Sequence, residues 1–337
     1  MHQNIKTIVL HITTICEHNC SFCYFTSENV FRRHAAYDTL KKIVDTVSKA
    51  GAKEIIFVGG DPATHPNVVD LGKYAQEQGL ETTILSNTLC FRDHSKEEVL
   101  DAFNVLETTI HNCNPYIHDK FCKSDGAYQR VVTNLKAYSA ENTSLGIVYN
   151  LTPNSYSFLF ETVKYIIEIE KIPIDHIVLQ RIAAVGRANK KDNWNLLTVD
   201  LEILFSQIAQ IDETFGISIN LEDTFPYCLT SEKYRDKYIK PCAWGYDSCS
   251  LDLDGNISLC CTDPNFTIGN ILEMPFLEIW STAPELINKR RGMYVSEKCR
   301  QCKEYAKCRG GCILSSITNS CNGDMLLSKV LTALSGD

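Results

Sequence analysis

Three cysteines in one short stretch have the clearest capacity for chemistry: Cys16, Cys20 and Cys23 in TTICEHNCSFCYF, residues 13–25. A cubane [4Fe–4S] cluster takes four protein thiolates, one per iron. Three thiolates at C-x3-C-x2-C spacing can wrap one cluster and leave one iron without a protein ligand. A small molecule carrying an amino and a carboxylate group can chelate that iron. The same residue types also suit a short zinc loop. The preceding run weighs against zinc. IKTIVLHIT, residues 5–13, reads as a buried strand. The cysteines then occupy the loop after a first parallel strand, where ligands bind in α/β folds.

A second concentration of thiols lies in the last third: Cys228, Cys242, Cys249, Cys260, Cys261, Cys299, Cys302, Cys308, Cys312 and Cys321. Cys299-x2-Cys302-x5-Cys308-x3-Cys312 is a ligand array that by residue type serves zinc ribbons or iron–sulfur clusters. Asp254-Gly255, between LDL and NISL, is a hairpin signal that puts Cys260 at the end of a strand. Cys90, Cys113 and Cys122 match no motif and read as small core or surface thiols.

The elements that must position these residues alternate regularly. Strands are predicted at 54–58, 82–85, 105–111, 145–151 and 176–182, with helices between them. Asp38 reads as the N-cap of the first helix, and Ser95 with Glu98 as a capping box. Six βα units in about 185 residues require a parallel sheet, because each parallel crossover needs a helix. The ends of these strands carry Gly59-Gly60-Asp61-Pro62, Ser86-Asn87, Thr109, His111, Asn150 and Arg181. A core-facing helix follows at about 198–215, ended by Gly216.

Composition excludes several classes. The chain has 337 residues, 44% of them hydrophobic, enough for a sizeable core. A net charge of −8 argues against nucleic acid and anionic membranes as partners. There is no basic signal-peptide start and no run long enough to span a membrane. Sixteen cysteines in an unsignalled chain of this length point to metal or cluster ligation in a reducing cytoplasm rather than to disulfides.

The N-terminal motif, with the aromatic Phe22 before its third cysteine, resembles that of the radical S-adenosylmethionine (SAM) superfamily. Gly59-Gly60-Asp61-Pro62 resembles the family's GGEP motif, with aspartate in place of glutamate. The resemblance implies a partial (β/α)6 TIM-type barrel, one SAM-binding [4Fe–4S] cluster on Cys16, Cys20 and Cys23, and SAM as cofactor. Phe22, Gly59, Gly60, Asp61, Pro62, Ser86, Asn87, Asn150 and Arg181 are the expected SAM contacts. The glycines are expected to let backbone approach the ligand closely. Cys242, Gly255, Cys260, Cys299, Cys302, Cys308, Cys312 and Cys321 match the spacing of the SPASM extension. That extension implies a small cysteine-rich domain with two auxiliary [4Fe–4S] clusters. Cys299, Cys302, Cys308 and Cys321 would hold the distal cluster, and Cys242, Cys260 and Cys312 the nearer one, with Cys228, Cys249 or an open site as its fourth position. The expected boundaries are 1–185 for the barrel, 186–241 for a bridging helix and linker, and 242–337 for the SPASM domain.

SPASM relatives mostly modify peptides, so the resemblance implies an oxygen-sensitive cytoplasmic peptide maturase, with oxidative cross-linking (carbon–carbon or thioether) first. Anaerobic sulfatase maturases carry aspartate where this chain has Cys261, which argues against that activity. A thiol there resembles peptide epimerases, with Cys261 as hydrogen-atom donor, and epimerisation is the second reading. Small-molecule oxidation and a non-enzymatic cluster or zinc scaffold are the rivals. Expected partners are a precursor peptide, an electron donor such as flavodoxin or ferredoxin, and a separate leader-recognition protein, because the first strand begins near residue 5.

Overall fold

The computed structural model describes residues 5–25, 31–91, 93–139, 143–183, 185–188, 194–262, 267–313 and 323–328. Its strands are β1 (Thr7–Thr13), β2 (Glu54–Gly59), β3 (Glu81–Leu85), β4 (Val105–Thr109), β5 (Ser144–Leu151), β6 (His176–Arg181), β7 (Ser218–Leu221), β8 (Ser248–Leu251), β9 (Asn256–Ser258) and β10 (Thr267–Asn270). β1 to β7 pair in sequence order and in parallel, the arrangement of a partial TIM-type barrel. Each strand interior is aliphatic and buried, as in Ile8, Leu10 and Ile12 of β1. Helices cover the outer face. The helix Tyr37–Lys49 buries Leu40, Ile43, Val44 and Val47, the stripe expected from their spacing.

Two local expectations are resolved by geometry. Ser95 and Glu98 form a reciprocal capping box. Asp38 is not an N-cap: Ala36 holds that position, and Asp38 sits in the first turn, where its charge complements the helix dipole.

The sheet extends beyond the six expected strands at both edges. β7, within the stretch expected as a linker, pairs with β6 from His176↔Ser218 to Leu179↔Leu221. SINL is short and lacks a continuous apolar run, so its periodicity was not legible as a strand. At the other edge β8 pairs in parallel with β1, Thr7↔Ser248 to Leu10↔Leu251, and continues through the antiparallel hairpin β8–β9–β10. The expected Asp254-Gly255 turn is there, with Gly255 at φ +82°. The cysteine-rich segment is therefore hydrogen-bonded to the strand that leads into the cysteine loop. Among the described residues, no helix is long and apolar enough to cross a membrane.

Candidate active site

The C-terminal ends of the strands surround one cavity. Cys16, Cys20, Phe22 and Cys23 line it from the loop after β1, with Gly59 and Gly60, Asn87, Thr109, His111 and Asn150 from the next four strand ends. The cysteine loop is pinned to β2: Gly60 N donates to Thr13 O and Asp61 N to Ile15 O, each at 2.7 Å. A Cβ on Gly59 would stand 2.3 Å from Thr13 O, and one on Gly60 2.3 Å from Ile15 O. What approaches the Cβ side of these glycines is the loop's own backbone. From the far side, Arg187 N donates to Cys23 O at 2.9 Å.

Within the cavity, Asn87 Nδ2 lies 2.9 Å from Cys16 Sγ. Burial pushes the Cys16 thiol up to about 12, and Asp61, Cys20 and Cys23 add to the shift. Phe22 packs on Phe121 and His111, at ring separations of 4.7 and 5.1 Å. Burial holds His111 well below the ordinary histidine range, so it is a neutral aromatic wall.

Four expected SAM contacts are placed elsewhere. Asp61 is buried and caps the short turn Pro62–Thr64, accepting from Ala63 N at 3.1 Å, and it hydrogen-bonds to Ser86. Ser86 Oγ accepts from Leu89 N at 3.0 Å. Asp61, Pro62 and Ser86 thus build a turn behind the glycines and do not line the cavity. Arg181 is also turned away. Its guanidinium donates to both oxygens of Asp324, at 2.6 and 2.9 Å, and to Thr224 O at 2.9 Å. Side chains alternate across a strand. Its neighbour Gln180, paired in register with Asn150, faces the cavity instead. That alternation was the available signal.

The second thiol group forms against the sheet. Cys260 and Cys261 pack with Val9, Val58 and Trp244, and Cys242 and Cys312 pack on them. Asp223, buried at the end of β7, accepts from Arg181 N at 2.9 Å, and its other oxygen lies 4.0 Å from Cys312 Sγ. Lys289 is 4% exposed, with Nζ 3.8 Å from Cys242 Sγ. A buried ammonium and a buried carboxylate therefore flank the Cys242, Cys260 and Cys312 thiols. Nothing in the cysteine spacing marked either. Asp324 also accepts from Cys312 N at 2.8 Å, so the Arg181–Asp324 pair fastens this segment to the barrel.

Burial, then Cys299, Cys308 and Cys302, push the Cys228 thiol up. Cys249 lies within β8, fully buried in the main core, and burial alone pushes it far up. It is a core thiol. Cys321 lies outside the described residues. Tyr24 lines the cavity, and burial, then Cys261, Cys23 and Cys260, push its hydroxyl well above the ordinary range. Cys261 is hydrogen-bonded to Cys260, and that contact with burial keeps it a protonated thiol.

Residues 10–177 match the Radical SAM superfamily, and residues 242–303 match the SPASM iron–sulfur cluster-binding domain. The chain is a radical SAM enzyme with a SPASM domain. Among curated relatives of this radical SAM/SPASM chain, the AdoMet-dependent heme synthase of Methanosarcina barkeri is 23% identical over 323 residues, 91% of this chain and 90% of that protein. The PqqA peptide cyclase of Gluconobacter oxydans is 22% identical over 349 residues, 96% and 90% of the two chains. Streptococcus suis SuiB bound to S-adenosylmethionine shares the fold, with a TM-score of 0.77 at 19% identity, covering 96% of this chain and 77% of that one. SuiB bound to its precursor peptide SuiA gives a TM-score of 0.75 at 18% identity, covering 96% and 75%.

The cofactors of such an enzyme are [4Fe–4S] clusters and SAM. The residues fit them. Three thiols line one space. Burial opposes ionisation of Cys16, and contact with Cys122 and then burial oppose that of Cys20, so an iron cluster is what makes thiolates favourable together there. Near Cys242, the buried Lys289 has no carboxylate partner among the described ion pairs, and a thiolate-held cluster would supply its counter-charge.

Proposed function

We propose that this enzyme modifies a ribosomally made peptide, removing a hydrogen atom and completing an oxidative carbon–carbon or thioether cross-link. When bound, the cluster on Cys16, Cys20 and Cys23, together with SAM, supplies a 5′-deoxyadenosyl radical. The observation that carries the reading is that the two thiol groups share a wall: Val58 and Leu85 line the cavity with Cys16, Cys20 and Cys23 and also pack with Cys260 and Cys261. A substrate at this junction lies between the site where a hydrogen atom is removed and a second site able to take up an electron. Asn87, Thr109, Asn150 and Gln180 supply polar groups that orient ligands, while Phe22 and neutral His111 keep the wall dry. The relatives that act on or bind peptides, PqqA peptide cyclase and SuiB with SuiA, support the substrate class. The reading includes a cytoplasmic setting and an electron donor such as flavodoxin or ferredoxin.

Two observations favour narrower alternatives. Cys261, a buried protonated thiol near Tyr24, suits the hydrogen-atom donor of an epimerase. The heme synthase relatives favour oxidation of a small molecule. Product mass separates the peptide chemistries. Loss of two hydrogens from the peptide, with Cys261→Ala still active, is the expected result. An unchanged mass in ordinary water, one deuteron gained from deuterated water, and inactive Cys261→Ala would overturn cross-linking in favour of epimerisation. Turnover of a porphyrin precursor with no peptide product would overturn the substrate class.

A further inference from the structure

Cys122 matched no motif, yet it ends the helix Pro115–Cys122, is 2% exposed, and lines the same cavity as the three loop cysteines. Its sulfur, the Cys20 sulfur and a ring nitrogen of His18 all lie within 4.8 Å of one another. In a tetrahedral site with metal–sulfur bonds of about 2.3 Å, ligand atoms stand about 3.8 Å apart. Ligands on different irons of a cubane stand further apart, so this trio fits a single ion. His18 is 8% exposed, and its Nε2 has no hydrogen-bonding partner among the described residues. Its ring already contacts the Cys20 thiol, and Nε2 is left over as a buried nitrogen that an ion could use.

The surroundings of Cys122 are those of a ligand. His111 N donates to His118 Nδ1 at 3.2 Å, which leaves the proton of a neutral His118 on Nε2. That Nε2 lies 3.5 Å from Cys122 Sγ, so its N–H is aimed at that sulfur, the contact that orients a metal ligand from behind. Asn19 N donates to Cys122 O at 3.2 Å and holds the cysteine loop against the helix end.

We propose that His18, Cys20 and Cys122 hold one divalent transition-metal ion, ferrous iron or zinc, when the N-terminal cluster is absent. Binding releases the two thiol protons and moves no electron. Because Cys20 belongs to both sites, the single ion and the cluster exclude each other. Only this exclusivity rests on the assignment of Cys20 to the cluster; the peptide reading is tested separately, by product mass. The site would act either as a landing place for the first iron of assembly or as the point where zinc blocks assembly.

The test is cobalt(II) binding to the full-length, iron-free chain under anaerobic conditions, read by metal analysis and by the visible absorption of thiolate-bound tetrahedral cobalt. Cys122→Ser and His18→Gln are each expected to bind one cobalt fewer per chain than wild type, and Cys90→Ser the same number as wild type. Equal binding by Cys122→Ser overturns the site. Cadmium NMR of the wild-type chain needs no variant: a signal from a mixed sulfur–nitrogen site is expected beside those of all-sulfur sites, and all-sulfur signals alone overturn the proposal. Reconstitution of the N-terminal cluster should remove the same cobalt; its retention overturns the sharing of Cys20. Zinc that slows reconstitution of wild type but not of Cys122→Ser supports the blocking role, whereas ferrous iron that speeds only wild type supports the assembly role.

Discussion

At the residue scale, the most informative side chain is Arg181, whose strand-end position suggested a ligand contact and whose guanidinium is spent on Asp324. Asp324 is 2% exposed and also binds Cys312 N and Leu326 N. Breaking a buried pair by removing one partner costs about 3–5 kcal/mol. Asp324→Ala is expected to lose stability of that order by denaturant titration, and Arg181→Ala to retain SAM binding in a stabilised background. Loss of SAM affinity without loss of stability would return Arg181 to the cofactor site. His11 makes a second point. Its ring stacks on Phe25 at 4.5 Å, neither nitrogen has a partner among the described residues, and burial pulls it down to about 3. The unfolded chain takes up a proton near the ordinary value of about 6.5, while the folded chain refuses it. Stability is therefore full above that value and falls as pH drops towards 3, by up to about 1.4 kcal/mol per pH unit for this group. His11→Phe should flatten the acid limb of a stability–pH curve; an unchanged slope would show that His11 is protonated in the fold.

At the element scale, the seam between β2 and the cysteine loop decides whether three thiols meet. Gly60 is the tighter half, because the atoms its Cβ would strike are Ile15 O, Ile15 C and Thr14 C, all backbone. Gly60→Ala cannot be absorbed by a rotamer change. It is expected to cost about 1–3 kcal/mol or more and to lower iron retention at the N-terminal site before it lowers helix content. Full retention of that cluster with unchanged melting would mean that the loop approaches β2 less closely than it does here. The GGDP stretch thus divides by element: its glycines admit the loop, and its aspartate and proline build the turn that follows.

At the scale of the whole molecule, one sheet carries both thiol groups, since β8 pairs with β1 and β7 extends β6. Three cubanes at four irons each correspond to about twelve irons per chain. Anaerobic reconstitution should approach that figure, and about four irons with stoichiometric zinc would contradict auxiliary clusters. Replacing Cys16, Cys20 and Cys23 with Ala should abolish dithionite-driven formation of 5′-deoxyadenosine. Replacing Cys299 and Cys302 should leave uncoupled SAM cleavage partly intact and stop product formation. Reductive cleavage by the triple variant would contradict the assignment of those three cysteines.

What was legible in the sequence was whatever is encoded locally: the aliphatic runs of β1 to β6, the stripe of the helix Tyr37–Lys49, the Ser95–Glu98 box, the Asp254-Gly255 turn and the spacing of both cysteine groups. Each depends on residues a few positions apart, so period and spacing suffice. What only the tertiary structure decided depends on residues far apart in the chain. β7 is too short to announce itself and exists because β6 offers an edge. Gln180 rather than Arg181 faces the cavity because strand alternation is read from the register with Asn150, and because Asp324, more than a hundred residues later, claims the arginine. Lys289, Asp223, Tyr24 and Cys122 belong to no motif. Their roles come from the charges and thiols that folding brings beside them, and no local pattern carries that information.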